Sequence, residues 1–110
     1  MDKHEWYLVP EPAEEGKVEK RTVGGKSICL ILSDKQLYAT GAKCPHAGAD
    51  LSRGWCEAGK LVCPYHRHKF DIVTGKGDPD QGNYIRTYPV KKEDNRWYVG
   101  IPKSWWAGWF

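Results

Sequence analysis

Two short arrangements, Cys44-Pro45-His46 and Cys63-Pro64-Tyr65-His66, stand with 16 residues between them. They constrain the fold more than anything else in the chain. The pattern is C-x-H, then C-x-x-H. Each half offers one sulfur and one nitrogen, and two thiolates with two imidazoles are the ligand set of a four-connected metal site. Each half fits its own loop, so a rigid scaffold must bring two loops to one place. Pro45 and Pro64 fix φ and lower the entropy lost when a ligand loop is ordered.

The rest of the chain reads as that scaffold. Helical periodicity is nearly absent, and short β-like runs alternate with turn signals. Strands are expected at Trp6 to Val9, ended by Pro10 and Pro12, and at Val18 to Val23. Gly24-Gly25 is a natural hairpin turn. Ser27 to Ser33 alternates, with Ile28, Leu30 and Leu32 on one face and Cys29 opposite. Ser33-Asp34-Lys35 turns the chain into Gln36 to Thr40. From Gly41 to His68 alternation fades, and Leu61 to Cys63 is the only extended run. Strands resume at Phe70 to Val73, Asn83 to Val90 and Arg96 to Ile101, with a turn at Glu93-Asp94-Asn95. Such spacing suggests an antiparallel sandwich or small barrel.

Composition bounds what this chain does. Its 110 residues make one domain, with no room for a catalytic domain beside it. A net charge of +3 is too slight and too scattered to argue for nucleic acid. No run approaches the roughly 18 apolar residues of a membrane span. The start, Met1-Asp2-Lys3-His4-Glu5, lacks the apolar stretch of a signal peptide, so the expected location is the cytoplasm. There, cysteines are more often free or metal-bound than disulfide-bonded. No Ser-His-Asp or Cys-His order suggests a hydrolase, and Asp50, Asp71 and Glu57 form no evident acid–base pair.

Two metals fit the donors. Zinc accepts two Cys and two His, but zinc fingers usually pair Cys with Cys and His with His along the chain. This chain mixes one of each in both halves. A 2Fe–2S cluster with a pair of His replacing a pair of Cys on one iron fits that mixture, since two metals must be embraced from both sides. A structural zinc module that binds a partner protein is the competing reading from another class.

At this point the chain resembles the Rieske ferredoxin family. The residues that carry the likeness are Cys44-Pro45-His46-Ala47-Gly48-Ala49-Asp50-Leu51-Ser52 and Cys63-Pro64-Tyr65-His66, then Phe70-Asp71 and Thr74-Gly75. Tyr88-Pro89-Val90 and Trp97-Tyr98-Val99 match the final strands of such domains. The likeness implies an all-β fold of stacked antiparallel sheets with a two-loop cluster-binding subdomain at about residues 42–69, in a single domain over 1–110. It implies one Rieske-type 2Fe–2S cluster, with Cys44 and Cys63 on one iron and His46 and His66 on the other. It implies an electron carrier rather than an enzyme, taking single electrons from a reductase and passing them to an oxygenase or reductase. The small subunit of an assimilatory nitrite reductase shares the domain and is the nearest alternative.

Neutral imidazole in place of thiolate makes the cluster less negative, so adding an electron costs less than in all-Cys clusters. High-potential relatives have two further Cys where Ala49 and Tyr65 stand here, and Ser and Tyr where His68 and Phe70 stand. Phe70 has no donor, and fewer hydrogen bonds leave the reduced state less stabilised. The expected potential is therefore at the low end of the Rieske range. The family often has Gly after the second His, where this chain has Arg67. Positive φ is harder for Arg, so the loop is expected to bend differently, and the guanidinium would raise the potential.

The remaining residues have plainer readings. Cys29 and Cys56 are structural thiols. His68 makes C-x4-H with Cys63 and competes with His66 as a ligand. Leu51, Tyr65 and Phe70 form an apolar collar around the cluster. The tail at 104–110, with Trp105, Trp106, Trp109 and Phe110, folds back over the β core or forms a docking surface.

Overall fold

Tight hairpins build most of this molecule. The computed structural model describes residues 4–43, 50–64, 67–77 and 84–102. The strands are β1 (His4–Val9), β2 (Val18–Val23), β3 (Lys26–Ser33), β4 (Gln36–Gly41), β5 (Trp55–Glu57), β6 (Lys60–Val62), β7 (Lys69–Asp71), β8 (Thr87–Tyr88), β9 (Val90–Glu93) and β10 (Arg96–Pro102). A 3-10 turn covers Leu51–Arg53. Four hairpins have two-residue loops with both residues at positive φ: Gly24-Gly25, Asp34-Lys35, Ala58-Gly59 and Asp94-Asn95. That sense of turn matches the twist of the strands it joins.

Three antiparallel sheets result, in the orders β1-β10-β9, β2-β3-β4-β8 and β5-β6-β7. The four-stranded sheet lies between the other two in packing terms. Ile28 and Leu30 of β3, with Leu37 and Ala39 of β4, pack against Val9, Trp97, Val99 and Ile101 of the first sheet. Cys29 and Ile31 turn the other way. They join Leu61, Phe70, Ile72, Ala42 and Leu51 in a second core. Cross-strand pairs share a face, and the register Leu30↔Ala39 and Leu32↔Leu37 keeps the apolar sets together.

The expected all-β architecture is present, and the structure corrects it in three places. Trp55–Glu57 is a strand, although nothing in that stretch alternates. The run expected to reach Val73 stops at Asp71, whose carboxylate Oδ1 accepts from the amides of Val73 at 2.8 Å and Thr74 at 3.1 Å. The run expected from Asn83 to Val90 breaks at Pro89, which has no amide hydrogen for a ladder. Its described part divides between β8 and β9, and Pro89 instead accepts from the Gly100 amide at 2.9 Å. The aromatic tail lies outside the described residues, as do Cys44 to Ala49, Tyr65 and His66.

Candidate metal centre

Each of the two segments that carry the expected ligands is flanked by a closed backbone base. The first leaves β4 through Ala42 and Lys43 and returns at Asp50. Lys43 and Asp50 bridge antiparallel, and the Leu51 amide donates to the Ala42 carbonyl at 2.8 Å. Asp50 then caps the 3-10 turn, its Oδ1 accepting from the Ser52 amide at 3.0 Å and the Ser52 hydroxyl at 2.7 Å. Its Oδ2 takes Lys20 Nζ of β2 at 3.1 Å. The Ser52 hydroxyl bond, helped by the Ser52 amide bond and by Lys20, holds the Asp50 carboxyl down at about 2 against the opposing effect of burial.

The second loop rises from the β6–β7 hairpin. Val62 pairs with Lys69, and the Cys63 amide donates to the His68 carbonyl at 2.7 Å. Pro64 and Arg67 lie above that rung. Arg67 adopts φ +54, so it takes the left-handed conformation that a Gly would take there. The expected difference in backbone sense is not seen at this residue. Holding a non-glycine residue there costs roughly 1–2 kcal/mol. Arg67→Gly is expected to raise the melting temperature by about 4–8 °C, and to lower the midpoint potential by removing a positive charge; melts and redox titration of both proteins check this.

The two bases meet in one buried cluster. Cys63 is fully buried beside Ala42 and Leu51 of the first base and Leu61 and Phe70 of the second hairpin. A cysteine of the second base thus shares one buried cluster with Ala42 and Leu51 of the first. This arrangement fits a group gripped from two sides, and the mixed sulfur and nitrogen donors fit a 2Fe–2S cluster with paired imidazoles on one iron. Of the four expected ligands, Cys63 is within the described residues; Cys44, His46 and His66 lie outside them. Leu51 and Phe70 of the expected collar are both fully buried, and Tyr65 lies outside.

The other cysteines are placed for packing. Cys29 is fully buried in β3, and burial, with the nearby Asp50 charge, pushes its thiol up to about 12. Burial also raises Cys56, against hydrogen bonds with Ser33 and the Gly59 backbone. Both cysteines sit in strands, β3 and β5, outside the two loop bases. His68, the competing imidazole, is half-buried with its Nδ1 atom enclosed, and its carbonyl closes the second base. That carbonyl bond is a positioning contact that sequence spacing gave no sign of.

The fold and the paired loops define a cluster-binding β domain. The Rieske [2Fe-2S] domain model matches residues 5–89, and the chain belongs to that family. The ferredoxin component of the naphthalene 1,2-dioxygenase system of Pseudomonas putida is 42% identical over 89 residues, covering 79% of this chain and 85% of that protein. The ferredoxin of carbazole 1,9a-dioxygenase from Nocardioides aromaticivorans IC177 superposes with a TM-score of 0.72 at 26% identity, covering 82% of this chain and 88% of the other. A nitrite reductase small subunit from Mycobacterium tuberculosis gives a TM-score of 0.81 at 20% identity, covering 93% and 99%, and that likeness shows the fold alone. The chain is an electron carrier that takes one Rieske-type 2Fe–2S cluster. That cofactor sets the zinc module aside. Among the described residues no helix is long and apolar enough to cross a membrane.

Proposed function

We propose that this chain, as one domain over residues 1–110, is the ferredoxin component of an oxygenase system. It takes single electrons from a reductase and passes them to the oxygenase, in the cytoplasm. Cys44 and Cys63 hold one iron, and His46 and His66 hold the other. The observation that carries the ligand set is the joint burial of Cys63 with the roots of both loops. The likeness to the naphthalene system supports the oxygenase partner over nitrite reductase, because it extends to sequence at 42% identity.

When bound, the cluster supplies a one-electron couple, for this family in the range of about −150 to +300 mV. The chain's own residues set where in that range it falls. Phe70 is fully buried and offers no hydrogen-bond donor. Leu51 beside it keeps water from the same core. The midpoint is expected near about −150 mV. Reductive titration of the holoprotein measures it, and a midpoint above about +100 mV would contradict the hydrogen-bond argument. Electron paramagnetic resonance of the reduced protein tests the ligands: mixed nitrogen and sulfur ligation lowers the average g-value below that of all-sulfur clusters. An all-sulfur signal would remove both histidines from the set.

A further inference from the structure

Three cations line one groove where the chain leaves β4 toward the first proposed ligand. Lys43 directly precedes Cys44, Lys26 opens β3, and Arg86 lies just before β8. With Tyr84 and Tyr88 they line a groove of about 450 Å³. Gly41 joins its two walls, its amide donating to the Arg86 carbonyl at 2.8 Å. The groove's described lining holds no carboxylate. Asp50, across the backbone bridge from Lys43, directs its carboxylate to Lys20 and to Ser52. Tyr84 is 73% exposed at the rim, and the Arg86 guanidinium lies 5.8 Å from the centre of the Tyr88 ring.

A concave surface lined by one sign of charge focuses its field outward and raises the local concentration of opposite charges. Tyrosine and arginine are both enriched where proteins meet. The position matters as much as the charge. An electron carrier needs its partner close to the cluster loops, and this groove begins one residue from the first proposed ligand. We propose that it seats an acidic segment of the protein partner with which the chain exchanges electrons. The inference rests on the ferredoxin reading and adds the charge that the partner presents.

The test uses the dithionite-reduced holoprotein and hexacyanoferrate(III). One electron leaves the reduced protein and converts the oxidant to hexacyanoferrate(II), and stopped-flow absorbance follows the rate. Lys26→Glu/Arg86→Glu is compared with Lys91→Glu/Lys92→Glu on β9, which changes the net charge equally but lies on a different sheet. At low salt the groove variant is expected to slow about tenfold and the β9 variant about twofold. The difference should shrink toward about 1 M salt. A deca-glutamate peptide should slow the wild type and the β9 variant but not the groove variant. Melting curves confirm that each variant is folded, and Lys26→Gln/Arg86→Gln replaces the groove pair if it is not.

Equal slowing in both variants would mean that net charge alone matters, which overturns the proposal. So would a groove effect on hexacyanoferrate with no inhibition by the peptide, which is binding of small anions only. A preparation with no visible band bleached by dithionite overturns the electron-carrier reading, and the docking proposal with it.

Discussion

Replacing Cys63 by Ser is expected to strip the protein of its iron and acid-labile sulfide. The side chain is fully buried and packed at the roots of both ligand loops, with its amide held by the His68 carbonyl at 2.7 Å. A serine there keeps the amide bond and much of the volume but replaces a soft thiolate with a hard hydroxyl. Iron of this kind selects sulfur, so the change acts on the donor and leaves the loop otherwise as it was. Iron should fall from about two atoms per chain to near zero, with loss of the visible absorption. The holoprotein's melting temperature should fall with it, because a cofactor that binds only the folded state contributes its binding energy to folding. Cys56→Ser and Cys29→Ala are the controls. Both thiols sit in strands, β3 and β5, outside the two loop bases, and both variants should keep their iron. His66→Ala should lose iron and His68→Ala should retain it. Full iron in Cys63→Ser, or loss in Cys56→Ser, would redraw the ligand set.

Much of this fold was legible because hairpins announce themselves locally. Gly24-Gly25, Asp34-Lys35 and Asp94-Asn95 sit between runs of alternating residues, and each is a two-residue loop at positive φ in the structure. Alternation in β3 placed Ile28 and Leu30 on one face correctly, and placed Cys29 on the other. It did not reveal that the opposite face is also core. Cys29 and Ile31 are as apolar as Ile28 and Leu30, so five consecutive buried residues mark a strand packed on both sides. β5 was invisible for a different reason. Trp55, Cys56 and Glu57 are held by pairing with Val62, Leu61 and Lys60, a long-range effect that local pattern does not carry.

The candidate site divides along the same line. Donor types and spacing are chemistry written in the sequence, and they pointed to two loops and a shared metal group. What the sequence did not show is how the loops are rooted. The Lys43–Asp50 bridge, the Leu51 amide on Ala42 and the Cys63 amide on His68 are backbone contacts, and backbone contacts leave little trace in residue identity. Arg67 shows the converse. Its side chain argued for a different bend, yet the closure of the hairpin at Cys63 and His68 holds φ at +54 against the residue's own preference.

The rooting of the two loops also sets a large expected loss of stability. Gly54 ends the 3-10 turn, and its amide donates to the Leu51 carbonyl at 3.0 Å. Its φ is −87°, so any residue could adopt the backbone there. Space is what it lacks. A Cβ on Gly54 would run into the Val62 carbonyl and come within 3.3 Å of the Leu51 carbonyl. Both obstacles are backbone, and Val62 precedes Cys63, so the clash cannot be relieved by turning a side chain. Gly54→Ala is expected to cost about 3 kcal/mol, the upper part of the range for overpacking. That is a fall in melting temperature of about 12 °C or more. Iron occupancy should fall too, since displacement of Val62 carries Cys63 with it. Gly59→Ala separates space from conformation. Gly59 has φ +77 with nothing within 4 Å of an added Cβ, so only left-handed strain applies there. Its cost is expected to be about 1 kcal/mol, with iron retained. If thermal melts of the two variants shift equally, or if Gly54→Ala keeps full iron, the close packing of β6 beneath the first loop is not what holds the two ligand loops in register.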